Sequence, residues 1–220
     1  MIALQLLRND IKPLKSGDKV FEAHALMDDY KVSHLPVVDG EEYLGLVSEG
    51  DLLDAVDDEL SIKEGSSKLV RAFVGADKHL FEALNLFHEF KLSMLPVLDT
   101  DEHYMGYLHP QDIVSMMGGM LSSKIPGGII ILEVNQGDYQ MSQIAQIVES
   151  NDARILASYI TSDANSTMLE VTLRINRKDL TSIVQTFQRY NYGISATYHE
   201  SEHAIDLKAR FDNFMKYLNM

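Results

Sequence analysis

Ser33-His34-Leu35-Pro36-Val37-Val38-Asp39, leading to Gly45-Leu46-Val47-Ser48-Glu49-Gly50-Asp51, decides the fold because the chain writes it twice. The second copy runs Ser93-Met94-Leu95-Pro96-Val97-Leu98-Asp99 and then Gly106-Tyr107-Leu108-His109-Pro110-Gln111-Asp112. The flanks repeat in register. Val20-Phe21-Glu22-Ala23 answers Leu80-Phe81-Glu82-Ala83, and Tyr30-Lys31-Val32 answers Phe90-Lys91-Leu92, with one residue inserted between Asp99 and Gly106. Agreement at this level marks two copies of one supersecondary unit.

Each copy reads the same way. Val20, Ala23, Leu26, Met27 and Tyr30 have the three-four spacing of a helix with one buried face. Leu35 to Val38 is a short β-branched run, a buried strand, with Pro36 at its start where a missing N–H is tolerated. Asp39-Gly40-Glu41-Glu42 reads as a hairpin turn and Tyr43 to Val47 as the second strand. Ser48-Glu49-Gly50-Asp51 then opens a helix expected from Leu52 to about Leu60, with Ser48 and Asp51 as capping residues. Upstream, Ile11-Lys12-Pro13-Leu14 is an extended lead-in, and Gly17-Asp18 a turn with Asp18 as N-cap of the first helix. Asp54, Asp57, Asp58 and Glu59 read as a solvated face of the helix after the motif rather than a metal site. Glu64-Gly65-Ser66-Ser67-Lys68 is a polar joint, and Val70 to Met117 is the second repeat.

These residues resemble a known family. The strand Leu35-Pro36-Val37-Val38-Asp39 followed by Gly45 to Asp51 is similar to a CBS domain, and two in tandem resemble a CBS pair, or Bateman module, over residues 1 to 121. The resemblance implies a pseudo-twofold disc whose clefts hold an adenosine nucleotide (AMP, ADP or ATP) or S-adenosylmethionine as a regulatory ligand. It also implies regulation of another protein, with no catalytic residue and no further cofactor. Ser48 and Asp51 match the family's Gly-x-Ser/Thr-x-x-Asp pattern and take its ligand-binding roles. The chemistry supports this: a helix start attracts an anion, a serine hydroxyl bonds phosphate, and a carboxylate accepts both hydroxyls of a ribose. The bland reading is that both residues only cap the helix. His34, Leu35 and Pro36 lie where family members point a side chain at the nucleotide; His34 is either a ligand contact or structural, and its counterpart is the apolar Met94. In the second copy Asp112 is retained, but His109 replaces the Ser/Thr and Pro110 is expected to alter the turn. His109 either meets phosphate in a pH-sensitive way or marks a dead half-site, and one competent cleft is expected rather than two.

Gly118-Gly119, Ser122-Ser123 and Pro126-Gly127-Gly128 punctuate a change of domain. Beyond them the pattern is strand (Ile129 to Val134), helix (Met141, Ile144, Ala145, Ile147, Val148), and strand (Arg154 to Thr161). A turn at Ser162-Asp163-Ala164-Asn165 leads to a strand (Met168 to Ile175), a helix (Leu180, Ile183, Val184, Phe187, Tyr190) and a last strand (Ile194 to Tyr198). This βαββαβ order is the ferredoxin-like split βαβ arrangement. Behind a CBS pair it resembles an ACT domain. That resemblance makes Asn135, Gly137 and Asp138, at the first strand–helix turn, candidates for meeting an amino acid. The order CBS–CBS–ACT is similar to acetoin-utilisation regulatory proteins, and both module types imply a homodimer. In the tail, Leu207, Phe211, Phe214, Met215 and Leu218 share one side of an expected helix, a docking, dimer-packing or partner-recruiting face. The expected fold class is therefore α+β. CBS domains occupy 1–65 and 66–121, an ACT-like domain 122–200 and a C-terminal helix 201–220.

Composition narrows the functions. The 220 residues carry a net charge of −14, of which residues 1–121 hold −12 and residues 122–220 hold −2. So acidic a surface repels nucleic acid and anionic membranes at long range. The absence of cysteine excludes disulfides and thiolate metal sites. No cationic leader or bilayer-length apolar run is seen, so a cytoplasmic location is expected, with a nucleotide, an unidentified regulated protein and a second copy as partners. His199-Glu200-Ser201-Glu202-His203 matches the His-Glu-x-x-His pattern of zinc peptidases. That chemistry needs both imidazoles on one helix face, whereas His199 here ends an expected strand. A ligand-free structural or interaction dimer is the alternative from another class, and metallopeptidase activity the third.

Overall fold

The computed structural model describes residues 2–55, 57–66, 68–121, 125–163 and 166–198, which fall into two compact units divided between Gly119 and Met120. In the first unit α1 (Val20–Tyr30), β1 (His34–Asp39), β2 (Glu42–Ser48), α2 (Glu49–Leu53) and α3 (Ile62–Gly65) form the first repeat. The second consists of β3 (Val74–Gly75), α4 (Leu80–Phe90), β4 (Leu95–Leu98), β5 (Tyr104–Leu108) and α5 (Pro110–Leu121). The helices α1 and α4 end alike, on Lys31 and Lys91 in the left-handed region at φ 55° and 52°. Both hairpins carry a bulge at the same place, between Val37 and Val38 and between Val97 and Leu98. A parallel lead-in flanks each hairpin, Leu14 beside Val37 and Val74 beside Val97.

The repeats are joined by exchanged pairing. Val70, which precedes the second repeat, pairs with Leu46 on β2; Arg8, which precedes the first, pairs with Tyr107 on β5. Each exchange is closed by two backbone hydrogen bonds of 2.8 and 2.9 Å. The motif glycines are what permit it. Gly45 and Gly106 sit at φ 150° and 151°; a Cβ on Gly106 would lie 2.3 Å from the Arg8 carbonyl oxygen, and one on Gly45 2.7 Å from Leu69 Cβ. One core serves both repeats: Val20, Leu35, Val37 and Val47 cluster with Leu80, Leu95, Val97 and Leu108, all at most 1% exposed. Each such side chain contributes about 1.5–3 kcal/mol of transfer free energy.

Two local expectations are corrected. The helix after the first motif stops at Leu53 rather than Leu60, so Asp54, Asp57, Asp58 and Glu59 lie exposed in the turns beyond it. A run of carboxylates at a helix C-terminus opposes the dipole and ends the helix early. Asp18 does not cap α1: Lys19 stands at the N-cap with its N–H donating to Glu22 Oε2 at 2.9 Å, while Asp18 Oδ2 accepts from the Lys15 N–H at 2.8 Å. Gly118-Gly119 does mark the change of unit, which falls between Gly119 and Met120, with α5 running on to Leu121.

The second unit has β6 (Gly128–Asn135), a 3₁₀ turn (Gln136–Asp138), α6 (Met141–Glu149), β7 (Ile155–Thr161), β8 (Met168–Ile175), α7 (Thr181–Arg189) and β9 (Gly193–Tyr198). The sheet order is β7-β8-β6-β9 with every neighbouring pair antiparallel, which is the split βαβ topology. Alternate residues of the central strands, Ile130, Leu132 and Val134 on β6 and Val171, Leu173 and Ile175 on β8, point into one core. There they meet Ile144, Ile147 and Val148 of α6 and Ile183 and Phe187 of α7.

Candidate functional site

The first repeat places three of the sequence candidates together. Ser48 ends β2 and is the N-cap of α2; its hydroxyl oxygen accepts from the Asp51 N–H at 3.1 Å and donates to Asp51 Oδ2 at 2.6 Å. His34 opens β1 directly opposite Ser48 in the hairpin register, close enough for the Asp51 charge to act on its ring. The imidazole is held by the other repeat. Its Nδ1 accepts from the Ser93 N–H at 3.3 Å, with the hydroxyls of Ser33 and Ser93 at 3.1 and 3.2 Å. The Ser33 N–H in turn donates to Ser93 Oγ at 3.0 Å. With Nδ1 accepting, the ring proton belongs on Nε2. Burial keeps the imidazole below its ordinary value of 6.5, partly offset by Asp51. Leu35 and Pro36 are buried within β1, where they shape the strand beneath His34. The mouth is thus half-buried, with a hydroxyl and a carboxylate at a helix start and a neutral imidazole beside them.

The second repeat builds the same mouth differently. Asp112 lies in the first turn of α5, but its Oδ1 accepts from Arg8 Nη2 at 2.5 Å, the two side chains being 25% and 40% exposed. Asp112 Oδ2 is buried without a hydrogen-bond partner among the described residues. Beside this pair the Tyr107 hydroxyl donates to Asp10 Oδ1 at 2.8 Å. That bond holds the Asp10 carboxyl below its usual range, while burial and then Asp10 push the Tyr107 hydroxyl up to about 12. The bond to Asp112 raises the Arg8 guanidinium further. His109 Nδ1 accepts from the Gln111 N–H at 3.2 Å and so caps α5 much as Ser48 caps α2. Pro110 is the first helical residue, where no N–H is needed, and the turn survives; the expectation that it would alter the turn is corrected. Met94, the counterpart of His34, is fully buried.

Sequence reasoning missed Arg8, Asp10, Tyr107 and Ser93. Arg8 stands 104 residues from Asp112, and no motif marks it, since Lys12, Lys15 and Lys19 are also basic residues ahead of α1.

In the second unit Asn135 Oδ1 accepts from the Gly137 N–H at 3.0 Å, which shapes the turn after β6. Asn135 and Asp138 line a pocket of about 450 Å³ with Gln143, Met168 and Tyr192, and the Tyr192 hydroxyl donates to Gln143 Oε1 at 2.7 Å. Among the described residues, Asp99, Asp101 and His103 bring a potential ligand atom each within 4.8 Å of one another. Asp99 Oδ1, however, already accepts from the N–H groups of Asp101 and His103 at 2.9 Å, the bonding of a capped hairpin turn. His199, Glu200 and His203 and the expected helix at 201–220 lie outside the described residues. Among the described residues no helix is long and apolar enough to cross a membrane.

The family model described as CBS domain matches residues 3–58 and again 67–119. A CBS domain pair/ACT domain protein from Thermotoga maritima superposes with a TM-score of 0.51 at 25% identity, covering 56% of this chain and 100% of that one. Among curated relatives, the inosine-5'-monophosphate dehydrogenase of Bacillus subtilis is 30% identical over 145 residues, 63% of this chain. That of Methanocaldococcus jannaschii is 24% identical over 147 residues, 66% of this chain. The chain spans 29% of the length of either enzyme. The match to these enzymes runs through their CBS region, which is a regulatory module.

Proposed function

We propose, from the premise that residues 3–58 and 67–119 are a tandem pair of CBS domains, that this protein is a regulatory sensor of an adenosine nucleotide or S-adenosylmethionine. The ligand sits at the mouth formed by Ser48, Asp51 and His34. One observation carries the reading: a serine and a carboxylate at a helix start stand beside an imidazole that the opposite repeat holds by backbone. The ribose diol meets Asp51, phosphate meets Ser48 and the first N–H groups of α2, and the base lies toward His34. Binding there reaches the second repeat through Ser93. A ligand that favours one arrangement of the two repeats over another then shifts the population seen by a regulated partner.

The second unit is read as an ACT-type domain whose turn at Asn135, Gly137 and Asp138 takes an amino acid in the adjoining pocket. The protein acts as a homodimer in the cytoplasm and is not an enzyme. A ligand-free interaction dimer is the second reading, favoured by the mutual Ser48–Asp51 bond, which satisfies both side chains without a ligand. Calorimetry with AMP, ADP, ATP and S-adenosylmethionine separates the two. Heat from at least one, lost in Asp51→Ala, upholds the sensor; no heat from any of the four with folded protein leaves the interaction dimer.

A further inference from the structure

One difference between the two mouths is a cation. Leu46 and Tyr107 hold the same place in the two copies, so their partners in the exchanged pairing, Val70 and Arg8, also correspond. At the first mouth that position is aliphatic, and among the described residues Asp51 has no ion-pair partner. At the second it carries a guanidinium, bonded to Asp112 Oδ1 at 2.5 Å. The bond is not an accident of a free side chain. The Arg8 backbone is fixed by its pair of hydrogen bonds to Tyr107, and Ile2 upstream is bridged to His79.

We propose that Arg8 determines the occupancy of the second cleft: its guanidinium takes the carboxylate that a ribose diol needs, so the chain holds one adenosine nucleotide, at Ser48 and Asp51, and not two. This rests on the nucleotide-sensor reading. A ribose offers two O–H donors, and a guanidinium is itself a donor fork with no acceptor, so both compete for the same oxygen. Oδ2 gives no alternative because it is buried. His109 keeps its Nε2–H as a donor while Nδ1 accepts from the Gln111 N–H, but a donor does not replace the carboxylate that the diol needs.

The test is the number of AMP molecules bound per full-length chain, measured by calorimetry at saturating protein, with the melting transition recorded for each variant. Wild type is expected to bind one and Arg8→Met, which keeps the aliphatic stem, two. Asp51→Ala is expected to bind none, and the double variant Asp51→Ala/Arg8→Met one. Two in wild type, or one in a natively melting Arg8→Met, overturns the inference and leaves the sensor reading standing. No AMP binding in wild type or Arg8→Met overturns the inference, and the sensor reading falls with it only where ADP, ATP and S-adenosylmethionine also give no heat. Should Arg8→Met fail to fold, Asp112→Ala decides: an AMP affinity within twofold of wild type upholds the closure, and a tenfold loss overturns it.

Discussion

The mouth at Ser48 and Asp51 and the mouth at His109 and Asp112 sit on the same hairpin, bulge and helix start, yet present opposite chemistry. Both caps work, one with a hydroxyl and one with an imidazole, so the scaffold does not decide the difference. What decides it lies outside either motif. The first carboxylate faces a serine and a half-buried histidine, while the second is met by an arginine contributed by the lead-in to the other repeat. Duplication therefore copied the geometry of a site while the exchanged strands set its electrostatics.

The largest expected effect tests the shared scaffold. Gly106→Ala places a Cβ 2.3 Å from a carbonyl oxygen at φ 151°, so it should cost about 3 kcal/mol or more in urea unfolding. Gly45→Ala, against Leu69 Cβ at 2.7 Å, should cost somewhat less. Equal, small losses would mean that the exchanged pairing is looser than described.

Next comes the asymmetry itself. Asp51→Ala should weaken AMP binding at least tenfold, about 1.4 kcal/mol, with little change in melting. A loss of the same size from Asp112→Ala would erase the distinction between the mouths. Removing the caps sharpens the likeness instead. Ser48→Ala should cost about 1 kcal/mol of stability and His109→Ala no more than that, since each leaves one helix-start N–H unpaired. A neutral Ser48→Ala would show that Asp51 alone orders α2.

The smallest effect separates His34 from Met94. Because burial lowers the folded-state value of His34 below 6.5, the unfolded chain takes up the proton first. Stability is therefore full above about 6.5 and falls as pH drops through and below it. Protonation also turns Nδ1 into a donor facing the Ser93 N–H, which breaks the link between repeats. Urea midpoints from pH 7.5 to 5 should fall more in wild type than in His34→Gln; parallel curves would place the imidazole outside the linkage.

Much of this was legible in the sequence. The period of the repeat fixed the hairpins, because each strand's apolar run is bounded by its own turn. The strand–helix order after Gly128 gave the split βαβ arrangement, whereas the unbroken run Ile129 to Leu132 did not say which face of β6 is buried. The end of α2 was not legible, since the leucines suggested continuation while the carboxylates after Leu53 stopped it. Gly118-Gly119 was a sound signal: the boundary between the units falls directly after it, although α5 accommodates both glycines at about 1 kcal/mol each relative to alanine. At the site, Ser48, Asp51 and His34 could be singled out because they lie within one hairpin and its helix. Arg8 could not, because pairing over 104 residues leaves no local pattern.

An amide NMR titration of the full chain with AMP tests most directly whether one mouth is open and the other closed. Shifts should appear at Gly50, Asp51 and His34 and pass to Ser93, while Arg8, Gln111 and Asp112 stay in place throughout the titration. Shifts that begin at Gln111 and Asp112, or that move both mouths together, would contradict it.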